Sequence, residues 1–217
     1  MTPPTSPERE NACHSGHSFS LAMEALARLF ARMDADYLRA AQAHGFVCAG
    51  CADNCCRTRF YHHTWVEYLY LRQGLKCLHD AQRAGVEARA AQAVARMAAV
   101  GEGAPSDAVM CPLNEEGRCI LYAHRPMICR LHGIPHQLQR PDGRRQEGPG
   151  CGDFDRQCGA SSQPILDRTP LYASLADLER ELRRRLGVHG KIKMAIAQMV
   201  VEALDSPNGE DASHEVY

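Results

Sequence analysis

The sequence predicts a mainly α-helical protein whose helices flank an irregular, loop-rich core organised by metal. Three observations carry that expectation. Apolar residues recur at helical spacing on both sides of the centre, nine of the 11 cysteines fall into three groups, and those groups lie among Gly, Pro, Asn and Asp. With 217 residues, 45% hydrophobic and 24% charged, the chain has enough material for one generous domain with a buried core.

The elements follow in chain order. Residues 1–17 are polar and read as a flexible tail. Ser18 or Ser20 can cap a helix carrying Leu26, Leu29, Phe30, Met33 and Tyr37 on one face, with Gly45 ending it. Thr64-Trp65-Val66-Glu67 has the form of a capping box ahead of Leu69, Tyr70 and Leu71. An alanine-rich stretch from Val86 to Val100 is helical by composition and is closed by Gly101. Thr169 reads as an N-cap with Pro170 at the first helical position. Leu171, Leu175, Leu178, Leu182 and Leu186 then form an apolar stripe that stops at Gly187. Ile192, Ile196, Met199, Val200 and Ala203 mark a last helix, and residues 206–217 read as a second tail. No strand alternation longer than a few residues appears. The expected organisation is one α-helical domain over 18–205 with its cysteine core at 46–158.

Composition removes several function classes. A net charge of -1 gives no dominant pull toward nucleic acid or an acidic membrane, and 6% aromatics leave little for base stacking. The most apolar N-terminal stretch, Phe19 to Phe30, is interrupted by Glu24 and Arg28, so it is unsuited to spanning a bilayer. Met1-Thr2-Pro3-Pro4 lacks the positive region of a secretory leader. A cytoplasmic location is expected. In a reducing compartment disulfides do not persist, which turns attention to metal binding or thiol chemistry.

The cysteines are Cys48, Cys51, Cys55 and Cys56, then Cys111, Cys119 and Cys129, then Cys151 and Cys158; Cys13 and Cys77 stand apart. A thiophilic ion needs two sulfurs at neighbouring tetrahedral corners, and Cys48-Ala49-Gly50-Cys51 supplies that spacing. Adjacent side chains such as Cys55 and Cys56 diverge, so they serve different centres or only one of them ligates. Asn114 to Gly117 is a turn across which Cys111 and Cys119 can face each other. Arg57, Arg59, Arg118, Arg125 and Arg130 crowd the same segments and can offset thiolate charge. Cys77, among leucines, reads as core filler. His62, His63 and His132 lie close in sequence to the groups, and the expectation for them is packing or surface.

The series Cys48-x2-Cys51-x3-Cys55-Cys56, then Cys111-Pro112-Leu113, then Gly117-Arg118-Cys119-Ile120-Leu121-Tyr122-x2-Arg125-Pro126-x2-Cys129-Arg130, resembles the YkgJ-like cysteine-cluster family, described as zinc- or iron-chelating. The resemblance covers about Phe46 to Cys151 and leaves both helical flanks outside it. It implies a ligand set of Cys48, Cys51, Cys55, Cys56, Cys111, Cys119, Cys129 and Cys151, with Cys158 able to stand in for Cys151. It implies a metal, zinc or iron, with an iron–sulfur cluster as one form; it implies no reaction. Flagellin lysine methylases look similar around the same blocks but are longer.

Two readings of function follow. One is a metal-binding protein chelating zinc or iron through clustered thiolates. The other is a [4Fe–4S]-dependent redox enzyme or electron-transfer protein; Cys111-Pro112 is like the cysteine–proline step of bacterial ferredoxins, although their closely repeated run is absent. An exchangeable metal store is a third use of the same thiols. The chain shows no nucleotide loop, Ser-His-Asp arrangement or HExxH motif.

Overall fold

The computed structural model describes residues 17–48, 55–100, 109–159 and 164–205. The elements within them are α1 (His17–Ala43), α2 (Trp65–Lys76), α3 (Asp80–Val100), β1 (Asn114–Glu115), β2 (Arg118–Cys119), α4 (Met127–Arg130), β3 (His136–Gln139), β4 (Arg145–Gly148), α5 (Gly152–Cys158), β5 (Leu166–Asp167), α6 (Thr169–Leu186) and α7 (Ile196–Asp205). The mainly helical expectation holds.

α1 buries Met23, Leu26, Phe30 and Met33, spaced three or four apart so that they fall on one face. Its end is a Schellman motif. Gly45 takes φ +68, its N–H reaches the Gln42 carbonyl at 3.1 Å, and the Phe46 N–H reaches Ala41 at 2.9 Å. α6 lays Leu171, Leu175 and Leu182 against α1, and Gly187 at φ +68 stops it as expected. These residues, with Leu131, Ile134 and Phe154, make one core cluster. A second joins Leu71 and Leu75 of α2 to Val86 and Ala90 of α3, Met199 and Val200 of α7, and Leu113 and Leu121. Trp65 and Leu69 of α2 pack against both.

Several local expectations are corrected. Thr64 is the N-cap residue of α2 but makes no side-chain cap bond to the backbone. Its hydroxyl donates instead to Glu67 Oε2 at 2.5 Å, while Glu67 Oε1 accepts the Met127 N–H at 2.8 Å. The Val66 N–H, which such a cap would leave for water, is taken by Glu179 Oε2 from α6 at 3.0 Å. Thr169 is the first helical residue of α6, not its cap; the Thr169 N–H bonds Asp167 Oδ1 at 2.9 Å and its hydroxyl accepts the Gln139 N–H at 2.8 Å. The last helix begins at Ile196, so Ile192 lies before it. Short strands are present that alternation did not reveal. β4, β3 and β5 form a sheet in that order, with β3 antiparallel to β4 and parallel to β5. Strands of four and two residues are too short to show a period of two.

The tails at 1–16 and 206–217 lie outside the described residues, as do Cys13, Cys51 and Gly101. No helix among the described residues is long and apolar enough to cross a membrane.

Candidate metal centre

The segment before α2 and the segment from Val109 to Arg130 carry the thiols, and neighbouring helices hold both in place. An antiparallel backbone bridge joins His62 to Met194, tying the first segment to the approach to α7. The Cys111 N–H bonds the Cys56 carbonyl at 2.8 Å, which lays the two segments side by side. Asn114↔Cys119 and Glu115↔Arg118 pair as a two-residue hairpin. Its loop, Glu116 at φ +50 and Gly117 at φ +81, has the positive angles of a type I′ turn. α3 fixes this hairpin: Arg89 Nε donates to the Pro112 carbonyl at 2.8 Å, and its guanidinium pairs with Glu115 Oε1 at 2.7 Å. Gly74 of α2 leaves room for the His124 ring, which an added Cβ would meet at 2.6 Å; His124 also stacks on Tyr70 with centroids 4.7 Å apart. The turn at residues 122–124 is thereby seated on α2.

This scaffold brings together five of the expected ligands. The Cys55 thiol is hydrogen-bonded to Cys129 and Cys56, and Cys56 is hydrogen-bonded to Cys111, Cys55 and the Asn114 side chain. The order of contact is therefore Cys129, Cys55, Cys56, Cys111. The adjacent pair, expected to serve different centres or to supply only one ligand, lies within a single chain of thiols because each member reaches a different partner. Cys119 faces the same group: burial, and then the charges of Cys56 and Cys129, push its thiol up to about 11. Hydrogen bonds from Cys111 and Cys55 hold the Cys56 thiol far below its ordinary range, with the Arg125 guanidinium adding to the effect. Those bonds keep Cys55 and Cys111 protonated.

Arg125 is the arginine that serves the thiols. Its guanidinium stacks 3.5 Å from the Tyr122 ring centroid and its NH1 donates to the Cys129 carbonyl at 3.4 Å. Arg130, expected among the charge-offsetting arginines, has a structural role. It is 6% exposed, pairs with Asp34 of α1, lies 4.3 Å from the Phe30 centroid and donates to the carbonyls of Ala123 and Arg125.

Cys151 lies beside Tyr37, and Cys48 is near enough for its charge to act on the same hydroxyl. Both thiols act on the Tyr37 hydroxyl, whose pKa is raised first by burial and then by their charge. Gly133 at φ +105 permits this approach, since a Cβ there would sit 3.3 Å from Tyr37 Oη and 3.6 Å from Cys151 Sγ. Cys151 is 4% exposed and Cys48 is exposed. Cys51, the partner of Cys48 in sequence, lies outside the described residues. The Cys158 thiol donates to the His44 carbonyl at 3.2 Å. His132 packs edge-on against Phe60, with centroids 5.4 Å apart. Cys77 corrects two expectations at once, for it is exposed at the end of α2 rather than buried, and it is disulfide-bonded.

A pocket of about 420 Å3, counting its open mouth, adjoins the thiol chain. Cys55, Cys56, Cys111 and Cys129 line one wall, and Met97, Met110 and His62 also face it. His62 was expected to pack or lie on the surface. It is 3% exposed, burial drops its pKa to about 4, and its Nε2 has no hydrogen-bond partner among the described residues. No sequence signal marks Met97 or Tyr37 as neighbours of the thiols, because helical spacing places both on ordinary core faces.

The donor set fits a soft or borderline cation. Several thiols whose protons a cation can displace, an adjacent guanidinium and no competing carboxylate are the chemistry that thiolate-loving ions require. Among the described residues, no three His, Cys, Asp or Glu side chains already surround a point that could hold a metal ion. The thiols are linked as a chain and not closed as a cage. No family model matches the sequence, and no curated protein or solved structure is significantly similar to it.

Proposed function

We propose that the protein binds metal, zinc or iron, through its clustered cysteines, with an iron–sulfur cluster as one form of the iron centre. The observation that carries this reading is that two segments bring Cys55, Cys56, Cys111 and Cys129 into hydrogen-bonded contact, with Cys119 close enough to feel their charge. Buried thiols used only as apolar filler have no reason to be hydrogen-bonded to one another beside a guanidinium. The resemblance to YkgJ-like cysteine-cluster proteins supports the same conclusion. On this reading those five cysteines serve one centre, while Cys48 and Cys151, with Cys51, serve a second. A bound cation replaces the shared protons, so ligation strengthens as pH rises.

Anaerobic purification followed by elemental analysis and a visible spectrum tests this. A colourless protein with stoichiometric zinc, or a brown one with iron and acid-labile sulfide, is the expected result. The brown form would favour the redox or electron-transfer reading. Cys56→Ala is expected to strip metal from the five-thiol centre, whereas Cys77→Ala leaves metal content unchanged. Protein that carries no metal after anaerobic purification and takes up none on addition would end the proposal.

A further inference from the structure

We propose that the pocket beside the thiol chain is an exchangeable site for a soft monovalent cation, Cu(I), in which the thioethers of Met97 and Met110 join the thiols of Cys55, Cys56, Cys111 and Cys129. This rests on the metal-binding reading and extends it, naming an ion class and a mode of use that zinc or iron ligation does not include.

The argument is one of donor type. Among the described residues the pocket is lined by four thiols and two thioethers and by no carboxylate. Hard cations require oxygen ligands, so the wall is closed to calcium and magnesium. Zinc and iron accept thiolates but gain little from thioethers, whereas Cu(I) takes both. Arg59 also lines the pocket, and its positive charge opposes a high charge on a bound ion, which a monovalent ion keeps low. His62 supplies an independent observation. Its Nε2 is buried at the pocket without a hydrogen-bond partner among the described residues. With the proton on Nδ1, that nitrogen presents a free lone pair, and imidazole is a ligand that copper accepts.

Exchange follows from position. Met110 is 42% exposed and directly precedes Cys111, so a flexible thioether stands at the rim beside a buried thiol. Met97, half-buried on α3, lines the same pocket. The exposed Met110 thioether offers an arriving ion a soft donor that the half-buried thiols can then replace. A closed structural site has no such path.

The test uses the reduced, anaerobic full chain labelled with selenomethionine and loaded with the tetrakis(acetonitrile) complex of Cu(I). Copper K-edge EXAFS is expected to show a Cu–Se shell beside the Cu–S shell. Replacing Met97→Leu and Met110→Leu together should abolish the Cu–Se shell and weaken Cu(I) affinity about tenfold in competition with bicinchoninate. Zn(II) affinity should stay the same. Met23→Leu, in the core of α1, should change neither ion, and because Leu replaces Met at similar volume these variants are expected to fold. Cu–S scattering without Cu–Se in the unsubstituted protein, or equal losses of Zn(II) and Cu(I) in the double variant, would overturn the Cu(I) site and leave the metal-binding reading standing. Failure to take up Cu(I), Zn(II) or iron in any form would remove both.

Discussion

The face between α1 and α6 and the thiol-bearing segment from Val109 to Arg130 are held together by different forces. In the first, Leu26, Phe30, Leu171 and Leu175 are nearly inaccessible to water, and each contributes transfer free energy on the order of 2 kcal/mol. Position is fixed by shape, and the helices would meet whatever ion was present. The second has Leu113, Leu121 and Met127, with Pro112 and Pro126, as its buried apolar anchors between residues 109 and 130. The rest of that segment depends on directed bonds: Arg89 to Pro112 and Glu115, Arg130 to Asp34, Glu67 to Met127, and the thiols to one another. A region short of apolar contacts has more to gain from a ligand than one that is already packed.

The largest effect that separates the two regions is expected from Leu26→Ala. A cavity at a site with no accessible surface should cost about 2–5 kcal/mol in urea unfolding, equally with and without a chelator. A cost that disappears on adding metal would join the two regions energetically and break the contrast. Second comes pH. His62 has a folded-state pKa of about 4 against an ordinary 6.5, so between those values the unfolded chain binds a proton that the folded chain refuses. Stability is therefore complete above pH 6.5 and lost as pH falls toward 4, by about 3 kcal/mol. Glu67 runs the other way: burial raises its pKa, so acid does not add to the loss. Urea midpoints measured from pH 7.5 to 4.5 that stay level in the unsubstituted protein would remove His62 from the account, and His62→Phe should reduce the fall and leave the part due to His136, whose pKa burial also drops to about 4. A smaller effect is expected from Glu67→Ala, which orphans the buried Met127 N–H at the start of α4 and should cost about 1–3 kcal/mol. Hydrogen exchange should place that loss on residues 122–131 and leave α6 protected. Uniform loss across both regions would mean that the thiol segment has no separate stability.

The same contrast explains what could be read from the sequence. The stripe Leu171, Leu175, Leu182 and the stops at Gly45 and Gly187 were legible because helix periodicity and positive φ are local properties. The grouping of cysteines was legible for a similar reason, since thiols among Gly, Asn and Arg are unusual as filler. The division of those cysteines was not. That Cys55 meets Cys129 while Cys151 lies beside Tyr37 depends on how α2 and α3 return the chain across more than 70 residues, and no short-range pattern encodes it. Thr64 and Glu67 misled because a capping box assumes that both side chains face their own backbone. Here α4 and α6 offered partners from outside the helix. Cys77 misled because Leu75 inside the helix is buried while the residue two positions on, at its end, turns to solvent.

Trp65 and Leu69 serve two masters, each touching the α1–α6 cluster on one side and the α3–α7 cluster on the other. Melting either cluster strips contacts from the same pair of side chains and so weakens the survivor. The molecule should accordingly come apart in a single step, and heat or denaturant should find no half-folded form in which one bundle outlives its neighbour.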